Sequence, residues 1–102
     1  MSYGLWIEHQ DNLEEVARVG WEDYEWSITV VWKDTNTGKL YLGDDCGCSC
    51  YGPWEDVNSL GDLVQITSVD EARPFCEQYT DSYYSVTEAE KLTFLDDIRK
   101  NL

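Results

Sequence analysis

The fold of this chain is decided by one stretch, Tyr24-Glu25-Trp26-Ser27-Ile28-Thr29-Val30-Val31-Trp32-Lys33. Its large apolar residues fall at every second position, and a period of two built from β-branched and aromatic side chains predicts a strand with one buried face. Turn-forming residues follow at 34–38, where Gly38 suits a positive φ. The run 39–42 then returns as a partner strand. The sequence therefore predicts a β-hairpin at about residues 24–34 and 39–43.

The C-terminal segment predicts an amphipathic helix at about residues 86–100. Ser85 can cap its first turn with Glu88 as the capping-box partner, and basic residues occupy its last turn. Apolar residues recur at intervals of three and four: Val86, Ala89, Leu92, Leu95, Ile98 and Leu102. The fold class that follows is α+β, with a small antiparallel sheet centred on the hairpin and packed against this helix. A chain of 102 residues fits one domain, residues 1–102.

Shorter elements are predicted around this frame. Asn12 and Glu15 form a capping-box pattern, which predicts a helix over about 13–19 with Gly20 at its end. The apolar run 5–7 suggests an edge strand, and the run 64–67 a further strand. A second capping-box pattern at 68–71 predicts a helix that Pro74 limits to one or two turns or kinks.

The net charge of −14 comes from 21 carboxylates against seven Lys and Arg residues. Such a chain repels nucleic acid and anionic membranes and attracts cations and basic proteins, unless the charge serves solubility alone. No apolar run reaches the roughly 20 residues of a membrane helix, and the first residues do not form a signal peptide. We therefore expect a cytoplasmic protein that binds neither nucleic acid nor membranes.

Three of the four cysteines, Cys46, Cys48 and Cys50, lie within five residues. In an extended chain alternate residues are about 6.5–7 Å apart, so these thiols can share a zinc ion only if the backbone folds tightly at the intervening residues. Cys76 or His9 would supply a fourth ligand. The alternatives are a redox-labile disulfide or small thiols packed in a tight loop. The spacing does not match a zinc signature, and we expect no resident cofactor.

No catalytic constellation emerges from the sequence. A cysteine nucleophile needs a base, and the single histidine, His9, is distant in sequence from the cysteines. Neighbouring carboxylates would disfavour a thiolate. Phosphate-binding loops, H-E-x-x-H motifs and nucleophile elbows are absent from the sequence. We therefore expect a protein that is not an enzyme.

The acidic residues are unevenly distributed. Residues 8–25 hold seven carboxylates against Arg18 alone, and residues 44–56 hold four with no basic residue. A patch of carboxylates can imitate the phosphates of a duplex, which recur about every 1.7 Å along its axis. Aromatic residues beside the acids would anchor an interface, unless they belong to the core. The predicted partner-binding residues are Glu14, Glu15, Glu22, Asp23, Glu25, Asp44, Asp45, Tyr51, Trp54, Glu55 and Asp56.

The hairpin, the motif Gly47-Cys48-Ser49-Cys50 and the run Pro53-Trp54-Glu55 resemble a family of small proteins encoded by bacteriophages of actinobacteria. The resemblance covers about residues 24–66. The family has no established activity, so the resemblance assigns no residue a role. It implies a small phage protein made in the bacterial cytoplasm, where such accessory proteins often bind a host protein.

These features predict a non-enzymatic phage accessory protein that binds a basic host protein, such as a nucleic-acid-binding protein, through its acidic and aromatic surface. A metal-binding or redox module built on Cys46, Cys48, Cys50 and Cys76 is one alternative. A structural phage component is another.

Overall fold

The computed structural model describes residues 5–22, 25–48, 54–79 and 86–102. Four strands form one antiparallel sheet in the order β1-β2-β3-β4. They are β1 (Leu13–Glu22), β2 (Glu25–Asp34), β3 (Leu40–Cys48) and β4 (Val64–Ile66). The helices are α1 (Leu5–Glu8), α2 (Val69–Glu77) and α3 (Glu88–Lys100), with a 3₁₀ turn at Leu60–Asp62. The predicted α+β fold is confirmed.

The hairpin is the centre of the sheet, as predicted. Lys33 lies opposite Leu40 in the β2–β3 register, and Gly38 has a φ of 77° in the turn between them. The carboxylate of Asp34 accepts hydrogen bonds from Asn12 Nδ2 at 3.2 Å and from the Asn36 amide at 2.9 Å. The bond from Asn12, followed by that from the Asn36 amide, holds the pKa of Asp34 below its ordinary value.

Residues 13–19 form part of a strand, which corrects the predicted helix. Ala17 and Val19 alternate along β1 and are buried, but the register shifts between Glu15 and Ala17 at a β-bulge. The extra residue gives the apolar positions the spacing of three and four that is typical of a helix. Gly20 has a φ of 125°, and a Cβ there would lie 2.8 Å from Ile28 Cα, so the strand requires glycine.

The sheet is buried on both faces, whereas the sequence predicted one buried face. We define the tryptophan face by Trp26, Ile28, Val30 and Trp32 of β2. The segment 54–63 covers it, with Trp54 and Leu63 buried and Ile7 of α1 packed at its margin. The helix face is the opposite one, where α2 and α3 pack on the smaller residues of the sheet: Ala17, Val19, Val31, Leu40 and Leu42.

The C-terminal helix forms within its predicted range but is rotated relative to the predicted apolar stripe. Phe94, Leu95 and Ile98 are buried, whereas Leu92 is 63 % exposed. Thr87 is the N-cap and its side chain accepts a hydrogen bond from the Glu90 amide at 3.2 Å. The predicted cap, Ser85, lies outside the described residues. The helix begins at Glu88, two residues later than expected.

Two further elements differ from expectation in detail. Residues 5–8 form a helical turn and not an edge strand. The second helix, α2, runs through Pro74 to Glu77. It is longer than Pro74 suggested, because proline removes one backbone donor but the helix packs its buried Ala72 and Cys76 against the core. The strand predicted at 64–67 is present as β4.

Candidate partner-binding surface

The acidic residues after the hairpin lie on an extension of β3. The predicted strand ends at Gly43, but β3 continues to Cys48 and stays paired with β2, with Asp44 opposite Thr29 and Cys46 opposite Ser27. The fourth strand pairs only with Leu40–Leu42. The acidic residues therefore occupy a part of β3 that β4 does not reach.

Backbone groups of this extension point away from β2 at alternate residues. The Asp34 amide donates to Lys39 O at 2.8 Å, so these two residues form a hydrogen-bonded pair, and the antiparallel pattern alternates from there. The backbone groups of Asp44 and Cys46 therefore point to the outer edge of β3. The Cys46 amide finds its acceptor in a side chain, Asp45 Oδ1, at 2.9 Å.

Asp45 joins the open edge of β3 to the cover of the tryptophan face. Its second oxygen, Oδ2, accepts a hydrogen bond from the Trp54 amide at 3.0 Å. The indole of Trp54 packs edge-on against Trp32, with ring centroids 5.0 Å apart, and fits above Gly43. Trp54 is 2 % exposed, so it is a core residue and not the partner contact that the sequence predicted.

Asp44 points to the opposite face, because adjacent residues of a strand alternate. Its Oδ1 accepts hydrogen bonds from Thr29 Oγ1 at 2.8 Å and from Gln78 Nε2 at 2.9 Å. Thr29 is fully buried and also lies 2.9 Å from the hydroxyl of Tyr79. Asp44 itself remains exposed, at the boundary between the helix face and solvent.

A cavity of about 290 Å³ opens beside the extension of β3. Gly43 and the buried Trp54 and Leu63 form its apolar part. Its charged residues are all aspartates, namely Asp44, Asp45, Asp56 and Asp62. Asp62 Oδ2 accepts a hydrogen bond from the Asn58 amide at 2.9 Å, so it is fixed by the backbone of the covering segment.

The basic residues of the described chain lie outside the lining of this cavity. In the described part of the chain, ion pairs join sequence neighbours such as Arg18–Glu15, Arg73–Asp70 and Lys100–Asp96. None of the four cavity aspartates forms an ion pair with another described residue. Lys33 and Lys39 flank the turn at the opposite end of the hairpin. We call the surface formed by Asp44, Asp45, Asp56 and Asp62 the acidic surface.

The structure divides the other predicted contact residues. Glu14 and Glu15 are exposed on β1. Glu15 lies across β2 from Tyr41, and Tyr41 is three residues before Asp44 on β3. Glu15 and Asp44 are therefore separated by roughly 10 Å along the strands and about 10 Å across them. Glu55 and Asp56 are exposed beside the cavity. Glu22 ends β1 and Glu25 begins β2, while Asp23 and Tyr51 lie outside the described residues.

The cysteines do not form the predicted tight loop as far as they are described. Cys46 is an exposed free thiol on β3, Cys48 ends the same strand, and Cys50 lies outside the described residues. Cys76 is buried in α2, and its thiol donates to Arg73 O at 3.3 Å. Burial raises the pKa of the Cys76 thiol, which keeps it protonated. Within the described ranges, no three His, Cys, Asp or Glu side chains are placed to hold a metal ion.

Two residues of this surface were missed as candidates. Asp62 lies in the 3₁₀ turn at Leu60–Asp62 and has no acidic neighbour in sequence, so only the return of the chain to β3 reveals it. Gln78 carries no charge and is ordinary at the end of a helix. Neither had a signal in the sequence that reasoning from motifs or charge runs would detect.

A family model matches residues 6–102, nearly the whole chain. The chain belongs to the family described as a domain of unknown function (DUF7574). Comparison with curated proteins and with solved structures found no match to this DUF7574 chain. No helix among the described residues is long and apolar enough to span a membrane. Membership in DUF7574 assigns the chain no activity.

Proposed function

We propose that this DUF7574 protein is a non-enzymatic binding protein whose acidic surface docks on a basic surface of another protein. The observation that carries the proposal is the end of β3, where the cavity is lined by Asp44, Asp45, Asp56 and Asp62 and by no basic residue, with the carboxylate of Asp44 turned to the helix face. Four aspartates without a basic residue beside them give this part of the surface a negative potential. A Lys or Arg side chain of a partner would be attracted to it.

The end of α2 supports the same proposal. Glu77 lies in its last turn, where no basic residue is present. The partial negative charge of a helix C-terminus disfavours an acidic residue at this position. Gln78 follows directly and binds Asp44, so the end of α2 adds negative potential beside the acidic surface. The arrangement favours attraction of cationic groups over local stability.

The partner that this surface suits is a protein that itself binds nucleic acid. Such proteins present Lys and Arg to phosphates, and carboxylates on a rigid sheet offer comparable negative charge. Because the sequence resembles proteins of actinobacteriophages, we propose that this partner is a host protein of the bacterial cytoplasm. Both the phage context and the host partner are parts of the proposal.

The test is an affinity capture from actinobacterial lysate at low and high salt, with captured proteins identified by mass spectrometry. One variant carries Asp44→Asn, Asp56→Asn and Asp62→Asn on the acidic surface. A control carries Asp70→Asn, Glu88→Gln and Glu90→Gln, which remove the same number of exposed charges from the helices. We expect a basic protein that is retained by the control, lost by the first variant and released at high salt. Equal capture by both variants would contradict the proposal.

The alternatives from the sequence have their own tests. A metal or redox module requires stoichiometric metal in the purified protein, or thiols that alkylate only after reduction. A structural phage component requires self-assembly, which size-exclusion chromatography with light scattering detects. No observation among the described residues favours either alternative over the binding function.

A further inference from the structure

A polar network crosses the otherwise apolar helix face beneath Asp44. Thr29 lies between Ile28 and Val30 on β2 and is 0 % exposed. Its hydroxyl donates its single proton to Asp44 Oδ1 at 2.8 Å. The hydroxyl of Tyr79, 2.9 Å from Thr29 Oγ1, therefore donates to Thr29. The network runs in one direction, from the buried phenol to the exposed carboxylate.

Gln78 holds the same carboxylate from the side of α2. Its Nε2 donates to Asp44 Oδ1 at 2.9 Å and to Phe75 O at 2.7 Å. The side chain is thereby tied to its own helix while it reaches the sheet. Within the described part of the chain, Oδ2 of Asp44 accepts no hydrogen bond. One oxygen of the carboxylate is fixed by two donors, and the other is available to a partner.

The side chain at position 29 could fill its place in the core without a hydroxyl. Valine has nearly the same shape as threonine, and Val31 occupies the next position of this face on the same strand. A buried hydroxyl is costly unless it is hydrogen-bonded, so a purely structural position at the centre of a sheet would favour valine. The hydroxyl of Thr29 satisfies the buried hydroxyl of Tyr79 and also orients the exposed carboxylate of Asp44.

We infer that Thr29 and Gln78 are positioning residues that hold Asp44 in a fixed orientation to receive a basic side chain of the partner. The inference rests on the proposed function. An exposed aspartate normally loses side-chain freedom when it binds, and a carboxylate that is already fixed avoids that loss. Thr29 and Gln78 therefore raise affinity without touching the partner.

The inference is tested with a fluorescein-labelled oligolysine peptide, whose dissociation constant is measured by fluorescence anisotropy at low and high salt. Thr29→Val removes the donor and keeps the volume of the core, and we expect it to weaken binding about two- to tenfold. Thr29→Ser restores the hydroxyl and is expected to bind like the wild type. Gln78→Ala is expected to weaken binding by a similar factor.

Two controls separate positioning from stability. Val31→Ala, on the same strand and face, is expected to lower the thermal midpoint more than Thr29→Val does, with no change in affinity for the peptide. In an Asp44→Asn background, Thr29→Val is expected to have no further effect, because the two residues act as a unit. Melting curves confirm that each variant is folded at the temperature of the binding assay.

The outcomes distinguish this inference from the function on which it rests. If the wild type binds the peptide and Thr29→Val binds equally well, the positioning role is overturned and the proposed function stands. A loss that persists in the Asp44→Asn background would also overturn it. If the wild type does not bind the peptide, or binds it no better than the triple aspartate variant, the proposed function fails and the inference with it.

Discussion

The two faces of the sheet are buried by different means. On the helix face, α2 and α3 pack on small and medium aliphatic side chains such as Ala17 and Val31. On the tryptophan face, the irregular segment 54–63 provides the cover, and Trp54 is its largest buried side chain. Regular helices need an even surface for close packing, whereas large rings leave gaps that a single inserted indole fills. The strongest apolar pattern in the sequence therefore marks the face that α2 and α3 do not cover.

The faces also differ in what their hydrogen bonds do. On the tryptophan face, Asp45 ties the cover to the edge of β3 through the Trp54 amide. On the helix face, Thr29 and Tyr79 form a buried network that ends at Asp44. Two adjacent aspartates thus serve opposite faces, Asp45 in structure and Asp44 in the proposed binding. The predictions below test this division.

The largest effects are expected from loss of the main ring on either face. Trp54→Ala and Phe94→Ala should each lower the free energy of unfolding by about 3–5 kcal/mol, because each removes a buried aromatic side chain. Urea denaturation measures both. Hydrogen exchange separates them, since we expect Trp54→Ala to expose segment 54–63 first and Phe94→Ala to expose α3. Protection of 54–63 that survives Trp54→Ala would show that Trp54 does not hold the cover.

A smaller effect is expected where the cover meets the sheet. A Cβ at position 43 would lie 2.8 Å from Trp54 Cζ3 and 2.9 Å from Trp32 Cζ3. Gly43→Ala should therefore destabilise the protein by about 1–3 kcal/mol through overpacking. Gly61→Ala is the matched control, because its added Cβ would meet only the flexible Ser59 side chain at 3.5 Å. Equal losses from the two substitutions would contradict the tight fit at Gly43.

The start of α3 should contribute less. Thr87→Ala removes the side chain that accepts the Glu90 amide and is expected to cost about 1 kcal/mol. Thr87→Ser keeps the cap and serves as the control. The thermal midpoint and the helical circular dichroism signal measure the change. No difference between the alanine and serine variants would show that the cap does not stabilise the helix face.

The smallest effect on stability is expected at alkaline pH, from the ionisation of Tyr79 on the helix face. Burial raises the pKa of Tyr79 above its ordinary value of 10.0, while hydrogen bonds to Thr29 and Ser27 partly oppose the shift. The unfolded chain therefore loses this proton first as pH rises above 10.0, and stability falls. Tyr79→Phe should make the loss of stability with rising pH less steep. Tyr41→Phe, at the margin of the tryptophan face, is the control, and an identical change in both would refute the assignment to Tyr79.

Reasoning from sequence was most successful where the determinants are local. The turn at 34–38 has its positive φ at Gly38, as turn chemistry predicts. The range of α3 likewise depends on residues near its own ends. The helix predicted at 13–19 was wrong, because the bulge in β1 gives this strand the residue spacing of a helix. The acidic residues of 44–56 were recognised by sequence, but their division between two faces was not.

By itself, the sequence determined the hairpin, the α+β class, the C-terminal helix and the acidic excess, since periodicity, turn chemistry and charge are properties of neighbouring residues. Only the tertiary structure decided which face the helices cover, that Trp54 is buried above Gly43, and that Asp62 and Gln78 meet the extension of β3. These features depend on contacts between residues distant in the chain. Such contacts are selected by shape and by the need to satisfy buried polar groups, and neither leaves a pattern in a single sequence.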